Sequence, residues 1–254
     1  MNFKNYSKII VANWKMNGSF SLINQYKNYL KKNYIKFNKK IAIVICPPFP
    51  YLTICKNKFK YKNIFLGAQN LSLSDNFSKT GEISSSIIRD TQCNFVILGH
   101  SERRNLFKES DKLISNKVNE SLNNKINVII CIGENLSEKR KSNTFKVLKK
   151  QIYKSLSNNC SPKNTIIAYE PVWSIGTGKT PTIEEINKIH TYIKKILNIK
   201  YHLKNYKFKV LYGGSVNKKN SKDILSLKSV DGVLVGGASL NIIEFAHIIN
   251  FNKN

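Results

Sequence analysis

The chain has 254 residues, of which 41% are hydrophobic and 22% charged, values that allow a substantial buried core and exclude an intrinsically disordered protein. Domains of about 250 residues are common among α/β barrels, so we expect one catalytic domain over residues 1–254. The net charge of +27 is unusual, and it comes from 42 Lys and Arg against 15 Asp and Glu.

Eight short runs rich in Ile and Val recur along the chain, and each is nearly continuously apolar, as is typical of strands buried on both faces of a parallel sheet. They are Ile9–Trp14, Ile41–Cys46, Ile64–Ala68, Phe95–Gly99, Val128–Ile132, Ile166–Tyr169, Phe208–Tyr212 and Val233–Val235. Amphipathic stretches lie between them, with apolar residues at helical intervals: Leu22–Leu30, Leu106–Leu122, Phe145–Leu156 and Ile183–Leu197. This order favours an α/β fold, a closed (β/α)8 barrel of eight parallel strands, over an open doubly wound sheet, which spacing alone does not exclude.

The first predicted strand runs into Asn13 and Lys15. Alternation along a strand puts both side chains on one face, and at the mouth of a barrel they would offer an amide and a fixed cation to an anionic substrate. The alternative is a lysine that merely begins a loop, which is common in a chain so rich in Lys.

The fourth predicted strand ends just before His100, and a helix is expected soon after it. The positive partial charge at a helix N-terminus disfavours the imidazolium form, so a neutral His100 could donate a hydrogen bond to a substrate oxygen. A capping or packing histidine is the alternative. Glu102 would pair with Lys15 or Arg103 and orient that cation.

The sixth predicted strand ends at Glu170, which is well placed to act as a general base. The segment Pro171–Pro181 follows, with stiff edges around a Gly-Thr-Gly tip, and this composition predicts a lid with two hinges. The alternative is a strand that ends in an ordinary solvated turn.

Two Gly-Gly turns follow the seventh and eighth predicted strands, at Gly213-Gly214 and Gly236-Gly237. Glycine lets backbone N–H groups approach a phosphate closely, and barrels frequently bind phosphate with these two loops. Ser215 would add a hydroxyl donor. One such turn alone would be weak evidence, because turns need glycine anyway.

The cysteines predict neither a disulfide framework nor a zinc site, because they are odd in number and none forms a C-x-x-C pair: Cys46, Cys55, Cys93, Cys131 and Cys160. No H-E-x-x-H pattern occurs, so we expect no metal. No apolar run approaches the roughly 20 residues of a membrane helix, and the run Ile9–Ala12 is too short for a signal peptide. We therefore expect a soluble, cytoplasmic protein without a membrane partner.

The positive charge could indicate a nucleic-acid partner. However, nearly all of it is Lys scattered along the chain, and Arg occurs only at Arg89, Arg103, Arg104 and Arg140. Lys, Asn, Ile and Tyr share AT-rich codons, so we attribute the charge to drift on solvated helix faces and expect no specific nucleic-acid partner. Tight duplex binding at physiological salt would contradict this interpretation.

With these residues in place, the chain resembles the triosephosphate isomerases over essentially its whole length. The matching segments, in the family's order, are NWKMNG (13–18), GAQN (67–70), LGHSERR (98–104), CIGE (131–134), AYEPVW (168–173), IGTGK (175–179), YGGSV (212–216) and VGGASL (235–240). The resemblance implies a TIM barrel, a homodimer, and cofactor-independent interconversion of the small molecules dihydroxyacetone phosphate and D-glyceraldehyde 3-phosphate.

The resemblance also implies catalytic roles. Glu170 would move a proton between neighbouring carbons, and His100 would polarise the carbonyl. Lys15 would counter the enediolate and phosphate charges, with a hydrogen bond from Asn13. The neutral histidine and the closing lid are roles for which this family is itself the usual example.

The other implied roles concern binding and support. The phosphate would be held by Gly176, Ser215, Gly236 and Gly237. Cys131 would support the base, although a small buried residue is an equally good interpretation of this position.

The sequence departs from the family pattern at Ser174, at Pro181 and in the segment Phe77–Glu82. Ser174 and Pro181 stand where Ala is usual, so lid opening could differ while the chemistry persists. The segment Phe77–Glu82 keeps only the end of the family's G-A-F/Y-T-G-E motif, which inserts into the partner subunit, so the dimer contact could be altered.

Two other functions remain open from the residues alone. A phosphosugar epimerase or aldolase would share the terminal phosphate loops but would need a metal cluster or a Schiff-base lysine, for which only Lys15 is suitably placed. A basic barrel bound to nucleic acid would make the site residues dispensable.

Overall fold

The computed structural model describes residues 3–74, 77–174, 180–205 and 208–252. Eight parallel strands close into a barrel in chain order, with β8 paired to β1. They are β1 (Lys8–Asn13), β2 (Ile41–Cys46), β3 (Ile64–Ala68), β4 (Phe95–Leu98), β5 (Asn127–Ile132), β6 (Thr165–Tyr169), β7 (Lys209–Tyr212) and β8 (Gly232–Val235). The predicted closed barrel is confirmed.

Helices surround the barrel and connect its strands. They are α1 (Phe20–Asn33), α2 (Leu52–Lys58), α3 (Ser85–Asp90), α4 (Ser101–Leu106), α5 (Asp111–Asn123), α6 (Leu136–Arg140), α7 (Thr144–Ser155), α8 (Ile183–Lys200), α9 (Ser221–Ser226) and α10 (Ile242–Ile249). Several begin where a side-chain oxygen accepts a backbone N–H of the first turn, as at Ser19, Ser84, Ser110, Asn135, Thr182 and Asn241.

The core has two layers because successive strand side chains point alternately into the barrel and toward the helices. The interior layer includes Val11, Val44, Ile97, Ile129 and Ala168. The layer beneath the helices includes Ile10, Ile43, Val96, Ile130 and Ile167. Both faces of each strand are therefore covered, which explains why the strand sequences are apolar almost without interruption.

The predicted continuous helical stretch Leu106–Leu122 is wrong, because the structure divides it into α4 and α5. Ser110 caps α5 by accepting a hydrogen bond from the backbone N–H of Leu113 at 3.2 Å, and Lys108 adopts a left-handed backbone with φ 55°. Leu106 and Phe107 are exposed, so these apolar residues do not face the core as the helical pattern predicted.

His190 of α8 is fully buried near the rings of Tyr169 and Tyr212. Burial and the neighbouring Lys194 lower the pKa of His190 from 6.5 to about 3, so the folded protein holds it neutral. In the unfolded chain the imidazole of His190 keeps its ordinary pKa and therefore binds a proton more tightly than in the folded protein. The free energy of unfolding should therefore fall as the pH drops below about 6.5, by up to about 1.4 kcal/mol per pH unit from this group.

Urea unfolding between about pH 7 and pH 5 would measure that slope. We expect His190→Leu to show a smaller loss of stability on acidification than the natural chain. Equal slopes for the two proteins would remove His190 as the cause.

The five cysteines are buried and form no disulfide. Within the described ranges, no group of three or more His, Cys, Asp or Glu residues is arranged to hold a metal ion. No described helix is both long enough and apolar enough to cross a membrane.

Candidate active site

The carboxyl ends of the parallel strands surround a cavity of about 330 Å³. Strand ends β1, β4 and β6 and the loops after β7 and β8 all contribute to it. The predicted residues that line it are Asn13, Lys15, His100, Glu170, Ser215, Gly236 and Gly237. Gly176 lies outside the described residues.

Glu170 follows β6 directly and is only 2% exposed. Its Oε2 accepts a hydrogen bond from the backbone N–H of Ser101 at 2.8 Å. Ser101 is the first residue of α4, so the carboxylate sits where the partial positive charge of a helix N-terminus stabilises it. Oε1 has no hydrogen-bond partner among the described residues and can accept a proton.

His100 is the N-cap of α4, and its Nδ1 accepts a hydrogen bond from the backbone N–H of Glu102 at 3.3 Å. The Oε2 of Glu102 lies 3.4 Å from the same nitrogen, but the backbone N–H already occupies its lone pair. An imidazole whose Nδ1 accepts this hydrogen bond carries its proton on Nε2. Nε2 lies 3.0 Å from Oε1 of Glu170, although the N–H is not aligned for a hydrogen bond with it.

Lys15 lies beyond the end of β1 and has a left-handed backbone with φ 52°. A turn, rather than the strand alternation that we predicted, therefore places it. Its backbone N–H donates to Oδ1 of Asn13 at 3.1 Å, and its carbonyl accepts from Nε2 of Gln69 at 2.8 Å. Its Nζ is 2.6 Å from Oε1 of Glu102, so both the backbone and the ammonium group are held in place.

The loops after β7 and β8 approach two charged side chains of the cavity, and only at Gly213 is the approach tight enough to favour glycine. A Cβ at Gly213 would lie 3.0 Å from Cγ of Glu170, and one at Gly236 would lie 3.5 Å from Cε of Lys15. The short 3-10 helix Gly237–Leu240 begins at the cavity wall. The loops after β7 and β8 therefore bring backbone close to both the base and the cation.

Cys131 lies in β5, fully buried. Burial, and after it the nearby Glu170 carboxylate, raise the pKa of this thiol well above its usual value. The side chain therefore stays a neutral thiol and adds no second negative charge beside the carboxylate.

Glu134 belongs to the site region although we assigned it no role from the sequence. Its buried Oε1 accepts hydrogen bonds from the hydroxyl of Tyr169 at 3.1 Å and from Nε1 of Trp173 at 2.9 Å. Burial raises the pKa of this carboxyl group. Glu134 thus anchors the first flank of the predicted lid. Glu134 and Gln69 stand in the matched segments CIGE and GAQN, which was the only sequence signal for them. Their contacts could not be predicted, because their hydrogen-bond partners lie far away in the chain.

Gly133 is a position where the backbone of one strand end passes close to another. A Cβ there would collide with the backbone carbonyl oxygen of Glu170. We expect Gly133→Ala to lower the free energy of unfolding by at least about 2 kcal/mol and to displace Glu170, which thermal unfolding and activity would show.

Gly237→Ala is the matched control, because no described heavy atom lies within 4 Å of its added Cβ. It should leave the melting temperature nearly unchanged. An equal loss of stability in both variants would contradict the close approach at Gly133.

Comparisons with known proteins identify relatives of this chain in both sequence and structure. A family model described as triosephosphate isomerase matches residues 8–252. Triosephosphate isomerase of Endomicrobium trichonymphae is 40% identical over 247 residues, spanning 96% of this chain and 98% of the relative. That of Aquifex aeolicus (strain VF5) is 39% identical over 243 residues, spanning 95% and 98%.

A crystal structure of triosephosphate isomerase from Bartonella henselae superimposes with a TM-score of 0.89 at 32% sequence identity, covering 98% of this chain and 100% of that one. The family model, the similar sequences and the superimposed structure each match nearly the whole length of this chain. This chain therefore belongs to the triosephosphate isomerase family of aldose–ketose isomerases.

Proposed function

We propose that this chain, acting as a single catalytic domain without a cofactor, interconverts dihydroxyacetone phosphate and D-glyceraldehyde 3-phosphate through an enediolate. The observation that carries the proposal is the convergence of Lys15, His100 and Glu170 on one cavity, from three different strand ends. A buried carboxylate, a neutral imidazole and an ammonium group are the components that proton transfer beside a carbonyl requires.

Glu170 is the proposed base. Its Oε1 takes a proton from the carbon beside the carbonyl and returns it to the neighbouring carbon, which converts ketose to aldose. The N–H at Nε2 of His100 polarises the carbonyl oxygen and moves protons between the two oxygens. For such a neutral histidine the family is itself the usual example.

Lys15 supplies the charge that the enediolate and the phosphate both need. Its ammonium group is fixed by Glu102, so it costs little reorganisation when negative charge develops on the substrate. Asn13 lines the cavity beside it and adds an amide donor. Glu102 and Cys131 are supporting residues in this proposal, since neither lines the cavity.

The phosphate group is proposed to bind to Ser215, Gly236 and Gly237, with Gly176 added from outside the described residues. The flanks of the lid segment are anchored on both sides: Trp173 bonds to Glu134, and Thr182 caps α8 together with Glu185. Closure of Pro171–Pro181 over the substrate would keep water from the enediolate.

The experiment that tests the proposal is a coupled assay with dihydroxyacetone phosphate on the purified chain, with and without a metal chelator. We expect rapid isomerisation that the chelator leaves unchanged. Absence of activity, or activity that the chelator abolishes, would favour a different phosphosugar enzyme.

We also propose a homodimer. Met16 is 98% and Phe77 78% exposed, which is unusual for such apolar side chains. A second cavity of about 660 Å³, lined partly by Met16, opens next to the catalytic one and shares Lys15 and His100 with it. In the proposed dimer, the segment that carries Phe77 in a second copy fills this cavity.

Sedimentation velocity at several concentrations would test the dimer. Phe77→Asp should raise the dimer Kd at least about tenfold, because a buried aromatic anchor would be replaced by a charge. Ile243→Asp, at an exposed apolar residue of α10 that does not line this second cavity, introduces the same charge and should not change the Kd. A monomer at every concentration would refute the dimer.

We further propose a cytoplasmic location, which the buried, unpaired cysteines suit.

A further inference from the structure

Lysines outnumber acidic residues most strongly at the end of the barrel opposite the catalytic cavity. All eight strands are parallel, so every helix-to-strand connection lies at that end. Within the described residues, these connections hold nine lysines and a single acidic residue, Asp231. Outside the α-helices and strands, the catalytic end holds six described lysines together with four glutamates, Glu82, Glu109, Glu134 and Glu170.

Five of these lysines belong to two connections that touch each other. The connection from α1 to β2 and the connection from α2 to β3 meet where the rings of Tyr34 and Tyr61 pack with centroids 4.3 Å apart. Ile35 protrudes beside them and is 85% exposed. We call this surface the basic patch: Ile35 with the exposed Lys36, Lys39, Lys40, Lys60 and Lys62.

The helix ends beside the basic patch do not neutralise it. Each helix C-terminus carries roughly half a negative elementary charge, so α1 and α2 together contribute about one. Five lysines, with no acidic residue in either connection, outweigh that contribution. A positive surface with one exposed apolar side chain remains.

We propose that the basic patch docks on an anionic lipid surface, with Ile35 entering the headgroup region and the catalytic cavity facing away from the membrane. Lysines near such a surface are attracted by its negative potential. An apolar side chain among basic residues adds burial at the interface. This proposal is independent of the isomerase activity, which serves as a check that variants fold.

The patch fits lipid better than a nucleic acid. Neither connection contains Arg, whose planar fork reads phosphate and base edges. The rings that could stack on bases are covered, because Tyr34 and Tyr61 pack on each other and Nζ of Lys39 lies 3.4 Å from the Tyr34 ring centroid. We expected no membrane partner because the sequence has no apolar run long enough to cross a bilayer. Docking on the membrane surface does not require such a run.

The experiment is co-sedimentation of the full chain with vesicles of phosphatidylcholine alone and of phosphatidylcholine mixed with phosphatidylglycerol. We expect binding only to the mixed vesicles. The triple variant Lys36→Gln, Lys60→Gln and Lys62→Gln should bind them about a hundredfold more weakly. Ile35→Ser should weaken binding about tenfold, and Ile35→Leu should retain it.

A variant with the same loss of net charge elsewhere separates the patch from overall charge. Lys146→Gln, Lys149→Gln and Lys150→Gln lie exposed on α7, outside the helix-to-strand connections, and should bind nearly as tightly as the natural chain. Equal weakening in both triple variants would overturn the proposal, as would binding to single-stranded RNA but not to the mixed vesicles. Full isomerase activity in every variant would exclude misfolding.

Discussion

Glu170→Asp should lower kcat/KM by at least about a hundredfold, since retracting a catalytic group by roughly 1 Å costs about that much. The carboxylate would keep its charge but lose reach toward the substrate carbon, because the backbone at 170 is held in the strand ladder by a hydrogen bond to Ile132. Glu170→Gln should cost still more, about a thousandfold or beyond, because an amide keeps the shape and removes the basicity.

The assay with dihydroxyacetone phosphate can be run in deuterated water, so that isomerisation and exchange at the carbon are followed together. Both should fall in parallel if one base serves both carbons. Glu184→Asp, the same shortening at an exposed residue of α8, is the control and should leave the rate unchanged. A normal rate for Glu170→Gln would remove Glu170 from its proposed role.

Lys15→Met should lower kcat/KM by about a thousandfold or more, because it removes a fixed cation from the place where negative charge develops. Methionine keeps an unbranched chain of similar length, so the loss would report charge rather than packing. KM should rise as well, since the phosphate carries charge in the ground state too.

Two controls sharpen this test. Lys218→Met changes the net charge equally at an exposed residue after β7, and it should affect the rate only slightly through weaker attraction of the anionic substrate at low salt. Glu102→Gln leaves the ammonium group in place without its carboxylate partner and should cost far less than Lys15→Met. Equal losses for Lys15→Met and Lys218→Met would mean that Lys15 acts only through overall charge.

Much of the fold could be predicted because it depends on local patterns. A strand covered on both faces has to be apolar throughout, so each strand was recognisable from its own residues. The break between α4 and α5 was not, because Leu106 and Phe107 fit a helical period and yet face outward. Lys108, with its left-handed backbone, carries no sequence signal for that turn.

That Asn13, Lys15, His100 and Glu170 line one cavity was predictable from chemistry and from the segments around them, but their contacts were not. From the sequence, Glu102 could pair with either Lys15 or Arg103. In the barrel its Oε1 lies 2.6 Å from Nζ of Lys15, which is 87 residues away in the chain. The proton position on His100 likewise follows from how α4 begins, which presents the N–H of Glu102 to Nδ1. Glu134 lacked a role until β5 and β6 brought it beside Tyr169.

The sequence by itself therefore determined the number and order of the strands, the residue types available at their ends and the excess of lysine, because periodicity and composition are properties of neighbouring residues. Only the tertiary structure decided which side chains meet across the cavity and that the lysines of the helix-to-strand connections share one end of the molecule. The physical reason is the closure of the barrel. Because all eight strands are parallel, their carboxyl ends meet at one end of the barrel, and the helix-to-strand connections meet at the opposite end.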